Sequence, residues 1–250
     1  MKKILAILLM TAMLISVAAC KNKSEKNDLP EDQETQLTNE NIESPEVPES
    51  LEAGDDQEGA DGEDEPGSNI LVAYFSRVGN THWKDGVDAV TSASLNVRGS
   101  EYAGNAQLLA EMAQQVTEGD LFLVKTEDKY PSDYTATTDL VRVQQSADAR
   151  PALRSHVENM EAYDTVILVY PIWWGHLPQP MFTFLEEYDF SDKKILPICT
   201  HGGSYLGQSI TDIMELCPGA TVLVGLAVDA DDAANAQDEV EEWISNAGIV

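Results

Sequence analysis

The alternation of apolar and polar positions divides the chain into three unlike stretches. Behind Lys2-Lys3 lies an unbroken apolar run from Ile4 to Ile15, whereas residues 21–68 hold no aromatic residue and only scattered apolar ones. From Asn69 onward, short continuous apolar runs recur at Ile70–Phe75, Leu121–Val124, Thr165–Tyr170, Ile195–Cys199 and Thr221–Val228. Helical periodicity separates them at Ala106–Val116, Thr135–Gln145, Met181–Glu187, Ser209–Leu216 and Asp232–Ser245. Apolar runs of strand length without alternation read as strands buried on both faces. Alternating with helices, they predict an α/β fold with a five-stranded, doubly wound parallel sheet.

Charge sharpens this division. The 250 residues carry 15 Lys+Arg against 44 Asp+Glu, net −29, which argues against nucleic acid as a partner. Residues 21–68 hold 17 acidic and 3 basic residues, too much charge and too little apolar surface to offset chain entropy. They are expected to be a disordered tether. Residues 69–250 hold 27 acidic and 10 basic residues and enough apolar ones for a core.

Residues 1–20 have the three regions of an export signal, ending in the small residues Ser16-Val17-Ala18-Ala19 before Cys20. Val17-Ala18-Ala19-Cys20 resembles the lipobox of bacterial lipoproteins, which implies lipidation of Cys20 and an extracytoplasmic domain anchored to a cell-envelope membrane. The other two cysteines, Cys199 at a strand end and Cys217 beyond a following helix, fall at opposite ends of the sheet and are expected to be buried thiols, not a disulfide.

In open parallel sheets, ligands bind beyond the carboxyl ends of the strands, where strand order reverses. Three loops there stand out. The first, Ser76-Arg77-Val78-Gly79-Asn80-Thr81, offers hydroxyls and amides suited to an anion; the second, Pro171-Ile172-Trp173-Trp174-Gly175-His176, places two indoles beside a glycine. The third is Thr200-His201-Gly202-Gly203-Ser204-Tyr205-Leu206-Gly207. Together they suit a flat, phosphorylated heteroaromatic ligand.

On these three loops, residues 69–248 resemble bacterial flavodoxins. The resemblance implies strand order 2-1-3-4-5 and a bound FMN. Ser76, Arg77, Val78, Gly79, Asn80 and Thr81 would then meet the phosphate. Pro171, Trp173, Trp174 and Gly175 would border the ring and ribityl chain, and Thr200, His201, Gly202, Gly203, Ser204, Tyr205 and Gly207 would line the pyrimidine end. Val78 stands where the family usually has Thr or Ser, and Tyr205 where related sequences often have Gly; Tyr205 either stacks on the flavin or caps its loop. Adjacent indoles on extended chain point apart, so one of Trp173 and Trp174 is expected to pack inward and the other to meet ligand.

A 23-residue detour, His82 to Gly104, separates the first loop from the helix that should follow it. Within it, Asp88 to Ser94 resembles the motif at which exported proteins receive FMN through a phosphoester, with Ser92 in place of the usual Gly. Ser94 is therefore a candidate flavinylation site, and a structural or lid role is the alternative. Trp83, in the same detour, is placed to cover the site, and Trp243 is read as core. His176 and His201 are read either as proton-transfer groups or as loop-positioning residues.

Three functions remain open on the sequence. One is an electron carrier serving a redox partner protein or quinone; another is an FMN-dependent NAD(P)H:quinone-type reductase; the third is a binding lipoprotein that has lost FMN. The absence of a second dinucleotide fingerprint favours the carrier.

Overall fold

The computed structural model describes residues 68–84, 94–98 and 101–249. The signal, Cys20, the tether up to residue 67 and the segment Asp88 to Ala93 lie outside the described residues.

The first apolar run forms β1 (Ile70–Tyr74) at the middle of a parallel sheet. It pairs on one side with β4 (Asp120–Leu123) and on the other with β5 (Thr165–Pro171), which in turn pairs with β6 (Lys194–His201). Two short segments, β7 (Thr221–Val222) and β8 (Leu226–Asp229), both pair with β6. The order β4-β1-β5-β6-β7 is that of a doubly wound sheet. The remaining strands, β2 (Leu95–Arg98) and β3 (Glu101–Gly104), form a separate antiparallel pair inside the detour.

Period-two alternation along the strands feeds two cores. Leu71, Ala73 and Phe75 with Val166, Leu168 and Tyr170 face α2 (Tyr134–Ser146), α3 (Gln179–Glu187) and α4 (Ser209–Leu216). Ile70, Val72 and Tyr74 with Ile167 and Val169 face α1 (Asn105–Thr117) and α5 (Gln237–Ala247). Burial on both sides is why these runs carry no polar alternation.

Two expectations need correction. The fifth strand is split, because the chain steps outward at Val224, which is 85% exposed and whose carbonyl accepts the Trp243 indole N–H at 3.0 Å. Trp243 is half-buried, packed against the second core as expected, with its polar edge spent on the strand break. The last helix is also shorter than its periodicity suggests, since Ala233–Asn235 forms a separate 3₁₀ turn ahead of α5. Cys199 and Cys217 are buried free thiols, as expected.

Candidate functional site

The three loops leave the carboxyl ends of β1, β5 and β6, on either side of the point where strand order reverses. The first divides its residues between two tasks. Ser76 and Arg77 are buried directly beyond β1. The Ser76 hydroxyl accepts the Val78 amide at 3.1 Å, and the Arg77 guanidinium donates to the carbonyls of Pro131 (2.9 Å) and Ser132 (3.0 Å) beneath the Trp83 ring. Burial lowers the Arg77 pKa, and nearby Asp133 partly offsets that shift.

Beyond Val78 the loop turns toward β4. Gly79, at φ +89°, presses against Leu123. The Asn80 carboxamide is fully engaged: its nitrogen donates to Ser76 O and Val124 O at 2.9 Å each, and its oxygen accepts from the Thr126 amide at 2.8 Å and hydroxyl at 3.2 Å. Its backbone amide donates to Arg77 O, and its carbonyl accepts from Tyr130 N. Thr81 continues as a bridge partner of Tyr130. The Asn80 side chain is thus a fastener holding the loop to the chain beyond β4.

What completes the first loop lies after the detour. Gly104 caps α1 so close to Ser76 that a Cβ there would stand 1.9 Å from the Ser76 hydroxyl oxygen. The first turn of α1 has no acidic residue, and the Asn105 amide already donates to Ser94 O at 3.1 Å. The amides of Ala106 and Gln107 come next, beyond the reach of any intrahelical carbonyl and at the positive end of the helix. Two halves are thus brought together from separate parts of the sequence, the Ser76 hydroxyl on one side and Gly104 to Gln107 on the other. Sequence reasoning missed this half, although a Gly-Asn step immediately before a helical pattern was its visible signal.

The second loop closes as a two-residue turn in which Trp173 and His176 exchange both backbone hydrogen bonds, at 3.0 and 3.1 Å. Trp174 (φ +50°) and Gly175 (φ +83°) occupy its tip, the pattern of a type I′ turn. A left-handed tryptophan costs about 1–2 kcal/mol. The indoles separate as expected. Trp173 is buried edge-on against Phe75 and Tyr130, with centroids 5.2 Å from each, and its N–H donates to Ser94 Oγ at 2.9 Å. Trp174 is 49% exposed under the Arg142 guanidinium, whose carbon is 3.9 Å from the ring centroid.

Loop three is stitched to loop two. Gln208 N donates to Gly175 O at 2.7 Å, and Gly207 passes so near that carbonyl that a Cβ would lie 2.3 Å from it. Gly202, Gly203, Ser204 and Tyr205 are exposed, with Tyr205 at φ +52° and its ring 4.9 Å from that of His201. His201 is buried beside buried Thr200, and its Nδ1 accepts the Gly203 amide at 3.0 Å. His176 is held through Nδ1 by Asp212 at 3.1 Å. Both histidines therefore position backbone or adjoining helix. Among the described residues no cluster of His, Cys, Asp or Glu could hold a metal ion.

A doubly wound parallel sheet whose loops beyond β5 and β6 are joined, one bearing a half-exposed indole and the other an exposed phenol, defines a flavodoxin-like α/β protein. A sequence profile of the flavodoxin family matches residues 95–247, and the chain belongs to that family. No curated protein sequence matches it. Among solved structures it is similar to a candidate flavoprotein of Bacteroides eggerthii, at 26% identity and TM-score 0.54, over 71% of this chain and 96% of that one. A candidate flavoprotein of Bacteroides uniformis is similar at 24% identity and TM-score 0.54, over 70% and 97% of the two chains.

Proposed function

We propose that the chain is an FMN-dependent electron carrier of the bacterial cell envelope. FMN is the cofactor of the family to which it belongs. The observation that carries the reading is the contact between Ser76 and Gly104, where a hydroxyl and the positive end of α1 meet with no side chain between them. That cradle suits a phosphate, and the aromatic loops beside it suit a flat ring. When bound, FMN supplies one- and two-electron redox chemistry. Ser76 and the Ala106 and Gln107 amides would hold its phosphate. Trp174 and Tyr205 would border the ring, and the exposed backbone of residues 202–204 would face its polar edge.

The remaining parts of the reading concern context. The sequence features at Cys20 support a lipid anchor, and the acidic segment after it supports a tether that holds the domain off an anionic membrane. The surplus of 17 negative charges in residues 69–250 disfavours adding electrons to a bound flavin, so the reduction potential is expected to be low and to rise with salt. The same field favours redox partners with basic docking surfaces.

The test is direct. Purified full-length chain is expected to be yellow and to release FMN on heating, and it should pass electrons to an added acceptor without consuming NADPH. Colourless protein that takes up no added FMN overturns the cofactor assignment, and steady NADPH oxidation with a quinone replaces the carrier by a reductase. Palmitate labelling that is lost in Cys20→Ala supports the anchor; labelling that survives removes it.

A further inference from the structure

In a domain with 27 acidic and 10 basic residues, cations have carboxylates in easy reach. Three of them gather with one another instead. Beyond β4 the chain pairs antiparallel with residues 152–154: Thr126 bridges Leu153, Arg154 N donates to Lys125 O at 2.8 Å, and Glu127 N donates to Ala152 O at 3.0 Å. Lys125 and Arg154 are thus directly opposite across the ladder, an arrangement in which like charges destabilise the pairing. The Ser155 hydroxyl fixes the register by accepting from Lys125 N at 2.8 Å and donating to Leu123 O at 2.9 Å.

Lys129 enters from the following turn, and its ammonium donates to the Gly79 carbonyl on the first loop. After burial, the influences that lower its pKa are the positive charges of Arg154 and Lys125. None of the three makes an ion pair among the described residues. A cleft of about 230 Å³ opens at Lys129, lined also by Asp128, Tyr130, Gln144, Arg150 and Pro151, with Lys125 and Arg154 outside its lining.

We propose that Lys125, Lys129 and Arg154 form a second anion site, beside Gly79 and separate from the Ser76–Gly104 cradle, that takes a phosphate group. A phosphate would neutralise the cross-strand repulsion, with Arg154 able to donate two parallel hydrogen bonds and the lysines acting as point charges. Two sources carry that chemistry: inorganic phosphate, and the phosphates of a pyridine nucleotide. The second source would make the chain a flavin reductase in place of a carrier, and only that arm bears on the proposed function.

The experiment compares thermal unfolding of the full chain with added inorganic phosphate, pyrophosphate, NADPH or NADH, in wild type and in Lys125→Gln/Arg154→Gln. Phosphate-bearing ligands are expected to raise the wild-type Tm, and the concentration needed should rise about tenfold or more in the double variant. Flavin content per chain should not change. A response to NADPH well above that to phosphate identifies a nucleotide, and an equal response to phosphate alone identifies the inorganic ion. Without added anion, Arg154→Gln should raise Tm, because it removes one of two facing like charges. The proposal is overturned by an absent wild-type response, by a response that survives the double variant, or by a lowered Tm in Arg154→Gln. Parallel loss of flavin would assign the cluster to the cofactor site instead. Flavin content is read separately from the anion response, so failure of the FMN assignment is distinguishable from failure of this one.

Discussion

The indole N–H of Trp173 donates to the hydroxyl of Ser94 across 2.9 Å, joining the loop after β5 to a residue inside the detour. Both side chains are buried. The detour is therefore clamped to the site, through this bond and through the Asn105 amide on the Ser94 carbonyl. Trp83 and Tyr102, near its two ends, stack with centroids 4.7 Å apart.

Ser94→Ala should leave a buried indole N–H without a partner and cost about 1–3 kcal/mol, read from the urea midpoint. The hydroxyl is buried as well as accepting from Trp173, so intact-mass measurement of exported chain is expected to show no added FMN at Ser94. An FMN adduct on that residue would show that the serine leaves Trp173 to be modified.

Gly104→Ala places a methyl against the Ser76 hydroxyl, where the ideal distance is 1.9 Å. Ser76 must move, and overpacking of this kind costs about 1–3 kcal/mol. FMN affinity should fall by about tenfold or more, measured by flavin-fluorescence titration, with fold content by far-UV circular dichroism unchanged.

Asn80→Ala removes four side-chain hydrogen bonds, one within the first loop and three that hold it to the chain beyond β4. Buried partners left unsatisfied make this a large destabilisation, about 2–4 kcal/mol. Asn80→Asp should be nearly as damaging, because it substitutes an acceptor for the amide that donates to Ser76 O and Val124 O. Denaturant unfolding of the two variants checks both.

Burial pushes the Cys199 and Cys217 thiols from 9.0 up to about 12. Below pH 9 both are protonated in folded and unfolded chain, and the shift has no effect on stability. As pH rises past 9 the unfolded thiols lose protons first, so stability falls progressively toward pH 12, by about 1.4 kcal/mol per pH unit for each thiol. Urea midpoints between neutral and alkaline pH test the slope. Thiol reagents should label both cysteines only after denaturation.

Local sequence was enough for the sheet and most helices because strands buried on both faces must be apolar, as Val166–Tyr170 is, and because helical periodicity over Ala106–Val116 has no other reading. Trp173 and Trp174 do separate, but through the turn that sets Trp174 at φ +50°, not through the extended backbone from which the separation was expected. Chain geometry was also enough to keep Cys199 from Cys217.

Only the tertiary structure decided which residues meet Ser76 at the start of α1. Gly104 is 28 positions from Ser76, and no local pattern brings a detour back to its starting point. Packing of Ser94 beneath Trp173 and of Gly104 against Ser76 does so, while Asn80, four residues from Ser76, is tied to Val124 and Thr126 beyond β4. Backbone groups in the interior must find partners wherever these lie in the chain, so contiguity in sequence named the loop and hydrogen bonding across the fold sorted its residues.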